Sequence, residues 1–375
     1  MSVAAKVNIT YKILYYGTLE KMTIEIKALP IENRKTCPEK FSFGDTFSDH
    51  MFTQIFEENK GWHDSKVSPY HAISLDPSAA VFHYGQEIFD GLKAYRNASG
   101  GINLFRPEEN VKRFNRSAKR MVMPEVDENL HLEAIKLLVQ LDQEWVPDQH
   151  GASLYIRPTM IATSPKLGLG ASSQYRHFII SGPAGSFFKG GLTPVSVFVA
   201  DEYRRAVKGG IGEAKTGGNY AASLFAAEEV SKLGYSQVLW LDAVEGKYIE
   251  EVGAMNIFFV YEGKSIVTPM LSGSILPGIT RDSILKLAPR LGYEVSEQQL
   301  DIEEILADID NGKITEVFGC GTATVVSPIG KLGFKGSEHI INNNQTGTVS
   351  KHLYDELTGI QYGTREDLFG WVQVI

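Results

Sequence analysis

Lys215 stands in the segment KGGIGEAKTGGNY, residues 208–220, inside a glycine-rich loop that leads into a helix. An amine so placed can attack a carbonyl group or carry a proton. Glycines on both sides let the backbone approach a flat ligand closely. The loop could instead cradle a phosphate, but G-x-x-x-x-G-K-[ST] is not satisfied, and no G-x-G-x-x-G follows a strand with the required acidic residue. A lone lysine is more often a solvated surface group, so the pattern by itself leaves these readings open. Downstream lie two adjacent carboxylates, Glu250 and Glu251. On an extended segment they point to opposite faces, so only one can serve a given site. Tyr155 and Arg157 alternate along a strand-like stretch and can face one cavity. Gly278-Ile279-Thr280 opens a helix after a Pro-Gly turn, which is a ready anion site.

The elements that must position these groups alternate between strand and helix. LFRPEENVKRFNRSAKRM (104–121) reads as a helix, opened by Pro107 and two acids, with Val111, Phe114, Ala118 and Met121 on one face. Further helices are expected at 131–145, 219–234 (capped by Asn219 and ended by Gly234), 278–292 and 301–312. Strands are expected at 152–158, 195–200, 237–242 and 256–261. The Gly-rich stretch 182–194, ending in Pro194, has the composition of an interdomain connection. The reading is a mixed α/β (α+β) enzyme: a smaller domain over 1–184, a connection at 185–195 and a larger cofactor-binding domain over 196–375.

Composition excludes several classes. The chain has 375 residues, 43% apolar and 22% charged, the profile of a globular protein. Its formal charge of −8 disfavours nucleic acid as a partner. No apolar run approaches the roughly 20 residues needed to span a bilayer. The amino terminus lacks the layout of a signal peptide. Cys37 and Cys320 are far apart and outside any metal-ligand spacing, so no metal is expected and a reducing, cytoplasmic setting is.

Several segments recur together, in this order, in one enzyme family. FGDTFSDHM (43–51), HYGQEIFDGLKAY (83–95) and LYIRP (154–158) lie in the first half. KTGGNY (215–220), EEVGAMNIF (250–258), LPGITRDS (276–283), FGCGTATVVSP (318–328) and IQYG (360–363) follow. The chain thereby resembles the branched-chain amino acid aminotransferases, class IV enzymes dependent on pyridoxal 5'-phosphate. The resemblance implies the fold-type-IV architecture, a homodimer, and a cofactor in the interdomain cleft.

The resemblance also implies roles. Lys215 would hold the cofactor's aldehyde and then shuttle a proton. Glu251, rather than Glu250, would face the pyridine nitrogen, and Tyr220 the phenolic oxygen. Ile279, Thr280, Thr322 and Arg113 would hold the phosphate, although Arg113 lies among Lys112, Arg116, Lys119 and Arg120, a run that usually marks a solvated basic face. Phe43, Tyr84, Phe89 and Tyr155 match aromatic pocket positions, and Arg157 matches the arginine that meets the glutamate side chain. The Thr322-Ala323 turn would receive the substrate carboxylate.

Three departures bear on specificity. Ala254 stands where many relatives carry a hydroxyl, a loss of about 1 kcal/mol. Thr324 and Ser327 occupy the places of a Cys-x-x-Cys found in some animal members, so no thiol switch is expected; Phe187 stands where some relatives have tyrosine. The expected reaction moves the amino group of L-leucine, L-isoleucine or L-valine to 2-oxoglutarate. The rivals are a D-amino-acid aminotransferase or aminodeoxychorismate lyase of the same fold, and a non-catalytic cofactor-binding protein.

Overall fold

Among the described residues, two nine-stranded sheets form the frame, one in each of two units. The computed structural model describes residues 23–185 and 192–375. The amino-terminal stretch and Phe187 lie outside the described residues. The first unit is Met1–Gly185 with Asp367–Ile375, and the second is Ser186–Glu366.

The first unit centres on the antiparallel pair Ser153–Ala162 and Gln174–Ala184, in register from Ser153↔Ala184 to Ala162↔Tyr175. Burial alternates along Gln174–Ala184 and over Leu154–Pro158, as expected when helices cover one face of a sheet. Leu154, Ile156 and Ile179 join a core completed by Leu130, Ala134, Ile135 and Leu138 of the helix Glu128–Leu141. Tyr155 and Arg157 therefore face the other way. The helix Pro107–Arg120 begins with proline in its first turn, carries Glu108 and Glu109 there, and ends on Lys119 and Arg120, all favourable to its dipole.

The expected helix at 131–145 starts earlier, at Glu128, and ends at Leu141 before a 3-10 turn over Gln143–Trp145. Its cap is Asp127, whose side chain accepts from the Leu130 N–H at 2.7 Å. The carboxyl-terminal residues correct the expected domain limits. Val372–Val374 adds to the first sheet beside Ile102–Phe105, and the Arg106 N–H donates to the Trp371 carbonyl at 2.7 Å. The tail thus belongs to the first unit, and the two units are of nearly equal length rather than smaller and larger.

The second sheet is mixed. Val195–Ala200 pairs in parallel with both Gln237–Leu241 and Val325–Phe334. Ile314–Gly321 runs antiparallel between Val325–Phe334 and Asn256–Tyr261. The helix Ile302–Asp310 packs Ile302, Ile305, Leu306 and Ile309 into the core, at the spacing of one helical face.

A buried carboxylate starts the last helix, Thr348–Tyr362. Glu316, on the strand Ile314–Gly321, accepts from the N–H groups of Val349 at 2.9 Å and Ser350 at 2.8 Å, and from the Ser350 hydroxyl at 2.6 Å. Gly347 leaves it room, because a Cβ there would lie 1.8 Å from the Glu316 carboxyl carbon. Removing this cap strands buried donors. Glu316→Ala should cost about 2 kcal/mol or more in urea unfolding. An unchanged midpoint would mean that the carboxylate contributes nothing.

Candidate active site

The lysine loop of the second unit is shaped by tight turns. The Gly210 N–H donates to Val207 at 2.9 Å and the Ala214 N–H to Ile211 at 3.0 Å. Gly212 presses against the Ser274 carbonyl, 2.1 Å from where a Cβ would stand, so no larger residue fits. The helix expected over 219–234 is broken into Gly217–Ala221 and Leu224–Lys232. Asn219 is not its cap. It lies inside the first turn, and its amide donates to the carbonyls of Ile211 and Ala214, both at 2.8 Å, tying the loop to the helix that follows. This tie presents Lys215, whose Nζ donates to the Tyr220 hydroxyl at 2.6 Å.

Glu251 lies on the strand Ile249–Val252 and is 3% exposed. Its carboxylate pairs with the Arg205 guanidinium and accepts from Asn256 Nδ2 at 3.1 Å and the Leu276 N–H at 3.2 Å. Burial pushes its pKa up to about 7, while Arg205, the Leu276 N–H and Lys215 pull it back and Glu250 adds to the rise. Tyr220 and Glu251 line one small cavity of about 20 Å³, together with Arg205, Asn219, Ser223 and Leu276. Arg205 and Asn256 were not singled out from sequence. Asn256 sits within the quoted EEVGAMNIF, but Arg205 looks like half of an ordinary solvated Arg-Arg pair.

Asn256 also joins this carboxylate to the anion site. Its Nδ2 donates to the Leu276 carbonyl at 2.9 Å, and its Oδ1 would meet a Cβ on Gly278 at 2.1 Å. Gly278 is the cap residue of the helix Ile279–Leu287 and makes no side-chain cap hydrogen bond. The N–H groups of a helix's first turn favour an anion, and Thr280 adds a hydroxyl there. Thr322 and Ala323 occupy the turn between Ile314–Gly321 and Val325–Phe334. That turn rests on Met255 through the Thr324 hydroxyl, 3.3 Å from its sulfur, next to Asn256 in the chain.

In the first unit, Phe43, Phe89, Tyr155 and Arg157 come together. Arg157 lies 4.6 Å over the Phe89 ring and donates to the Tyr155 hydroxyl at 3.0 Å. The Phe43 ring meets Tyr155 edge-on at 4.8 Å. A cavity of about 250 Å³ is lined by Phe43, Phe47, Tyr155, Arg157, Ile180 and Gly182. Tyr84 stands apart from this cluster on the short helix Ala80–Tyr84, exposed, with its hydroxyl donating to the Leu167 carbonyl.

Arg113 departs from its neighbours. It is buried while Lys112, Arg116, Lys119 and Arg120 are exposed, so the solvated-face reading fails for this one residue. Asp90 holds it in a two-point pair, Nε to Oδ2 at 2.8 Å and Nη2 to Oδ1 at 2.7 Å, with Asn110 donating to the same carboxylate at 2.8 Å. Among the described residues, no group of three metal-ligating side chains converges.

The raised pKa of Glu251 has a measurable consequence. The unfolded carboxyl titrates near 4.5, the folded one at about 7. Between these values the folded state keeps a proton that the unfolded state has lost. Its contribution to stability is therefore fully present below pH 4.5 and is lost as pH rises toward 7. In cofactor-free protein, Glu251→Gln should remove this loss, which otherwise proceeds at up to about 1.4 kcal/mol for each step of one in pH. Parallel pH–stability curves for the two proteins would show that folding does not raise the pKa of Glu251.

A model of the amino-transferase class IV family matches residues 87–332. The chain is 52% identical over 355 residues to the probable branched-chain-amino-acid aminotransferase of Staphylococcus aureus strain N315, covering 93% of this chain and 99% of that one. Among solved structures, the Escherichia coli branched-chain amino acid aminotransferase matches with a TM-score of 0.71 at 28% identity, over 85% of this chain and 98% of that one. A second branched-chain amino acid aminotransferase, from T.th. and complexed with N-(5'-phosphopyridoxyl)-L-glutamate, matches with a TM-score of 0.70 at 26% identity, over 86% and 97%. On the family model over residues 87–332 and the 52% identity to the Staphylococcus aureus relative, this chain belongs to the class IV aminotransferase family, in its branched-chain-amino-acid group.

Proposed function

We propose that the protein is a pyridoxal 5'-phosphate enzyme that moves an amino group reversibly between L-leucine, L-isoleucine or L-valine and 2-oxoglutarate. The observation that carries this reading is the Lys215 amine held 2.6 Å from the Tyr220 hydroxyl, with Glu251 lining the same cavity as Tyr220. An amine, a phenol, a buried carboxylate and a helix start at Gly278 suit a ligand with an aldehyde, a phenolic oxygen, a ring nitrogen and a phosphate. When bound, the cofactor supplies an aldehyde and an electron-accepting ring.

Lys215 takes up the proton of the substrate α-carbon and returns it. Tyr220 orients the amine through their hydrogen bond. Glu251, braced by Arg205, Asn256 and the Leu276 N–H, holds a proton at the ring nitrogen. Thr280, Thr322 and the helix beginning at Ile279 would hold the phosphate. The Thr322-Ala323 turn would take the substrate carboxylate. Phe43, Phe89 and Tyr155 give aliphatic side chains an apolar surface, and Arg157 gives the second carboxylate of glutamate a cation. The complex of the T.th. enzyme with N-(5'-phosphopyridoxyl)-L-glutamate supports glutamate as a substrate.

The same reading makes the protein a homodimer, with Tyr84 lent to the partner's pocket. Exposed Phe82, Tyr84, Leu167 and Leu169 in the first unit support a covering second copy. Cys37 and Cys320, both free thiols, fit a cytoplasmic setting. Among the described residues, no helix is long and apolar enough to cross a membrane.

The direct test is the absorbance spectrum of the purified protein. A visible band that shifts toward the ultraviolet with L-leucine and returns with 2-oxoglutarate is expected, and Lys215→Ala should abolish steady turnover while remaining folded. A band that ignores leucine but answers D-alanine would move the function to the D-amino-acid enzymes. For assembly, light scattering should give a dimer mass that Phe82→Asp lowers to a monomer; an unchanged mass would place the interface elsewhere.

A further inference from the structure

Glu250 stands beside Glu251 and is also buried, at 5% exposure. Its Oε1 accepts from the Ser272 hydroxyl at 3.3 Å and from the Ser274 hydroxyl, and those hydroxyls lie 2.7 Å apart. Its Oε2 has no hydrogen-bond partner among the described residues. A carboxylate taken out of water with one oxygen unsatisfied is costly, and as a plain structural filler an apolar residue would serve better. Burial raises its pKa, against the opposing pull of Ser274 and Arg205.

What Glu250 grips explains its presence. Ser272 and Ser274 lie outside any helix or strand, between the strand Ser265–Pro269 and the helix Ile279–Leu287. This short crossing touches Arg205, Gly212, Glu251 and Asn256. The Ser274 carbonyl accepts from Arg205 Nη2 at 2.8 Å and abuts Gly212, three residues before Lys215. The Leu276 N–H donates to Glu251, and the Leu276 carbonyl accepts from Asn256. Two residues later the chain turns at Gly278 into the helix that offers the anion site.

We propose that Glu250 is a positioning residue for Glu251, acting through the 272–276 crossing that its carboxylate clamps by two serine hydroxyls. The clamp keeps the Leu276 N–H and, through the Ser274 carbonyl, the Arg205 guanidinium on the Glu251 carboxylate. Glu250 is the extra residue of a β-bulge, between the pairs Trp240↔Glu251 and Leu241↔Ile249, so the strict alternation expected of an extended strand is interrupted there and both glutamates act on one segment. This inference rests on the proposed function, because it concerns the residue that faces the ring nitrogen.

The test compares holoenzymes of wild type, Glu250→Ala, Glu250→Gln and Ser274→Ala. The readouts are the pH titration of the bound cofactor's visible band, kcat and KM for leucine and 2-oxoglutarate, and the thermal midpoint. Glu250→Ala should move the midpoint of the band's titration by about 0.5 in pH or more. It should lower kcat on the order of tenfold while changing each KM by about twofold or less. Glu250→Gln keeps an oxygen for both hydroxyls and should restore most of the rate. Ser274→Ala should fall between wild type and Glu250→Ala, and it decides the question should Glu250→Ala fail to fold. The proposal is overturned if these variants lower only the thermal midpoint, with band titration and kcat unchanged. It is equally overturned if Gln is as damaging as Ala, since charge rather than the clamp would then matter. A wild-type protein whose band ignores leucine would instead refute the proposed function itself.

Discussion

Burying the Glu251 carboxylate dictates the arrangement around it. An ionised carboxyl removed from water needs opposite charge and donors on every side. Here the donors come from three separate segments: Arg205 ahead of the lysine loop, Asn256 on the next strand, and the Leu276 N–H in the crossing to the anion-site helix. Satisfying one carboxylate therefore fixes the relative positions of segments that the site needs together. The residual desolvation leaves its proton affinity high.

The first unit meets the same constraint differently. Asp90 and Arg113 neutralise one another in a two-point pair, and Asn110 and the Gly91 N–H complete the carboxylate's coordination. Close by, His131 and His177 are buried with ring centroids 4.7 Å apart and no hydrogen-bond partners among the described residues. Burial pushes His131 down to about 4 and His177 well below the usual histidine range, so both stay neutral and pack as aromatic rings. The interior of this unit thus keeps charge where a partner neutralises it.

Strand parity divides the labour within that unit. Leu154 and Ile156 enter the core beneath the helices, while Tyr155 and Arg157, one residue out of phase, form the aromatic and cationic wall of a cavity. Glycines open that face: a Cβ on Gly91 would fall 1.9 Å from the Tyr155 hydroxyl, and one on Gly182 would fall 2.1 Å from the Thr46 carbonyl. Core packing on one side and a cavity wall on the other come from the same ten-residue strand.

By itself, the sequence determined what depends on neighbours a few positions away. Pro107 with its acids marked the helix Pro107–Arg120, apolar runs marked Val195–Ala200 and Asn256–Tyr261, and the series of motifs identified the family. Tertiary structure decided what depends on partners far along the chain. Arg113 is buried among exposed cations because Asp90, 23 residues earlier, meets it. Asn219 binds two loop carbonyls instead of capping a helix, since the loop folds back over it. The tail joins the first sheet because its strand pairs with Ile102–Phe105, more than 260 residues away. Propensity and periodicity act locally, whereas ion pairing, strand register and the satisfaction of buried polar groups act between segments that only the fold brings together.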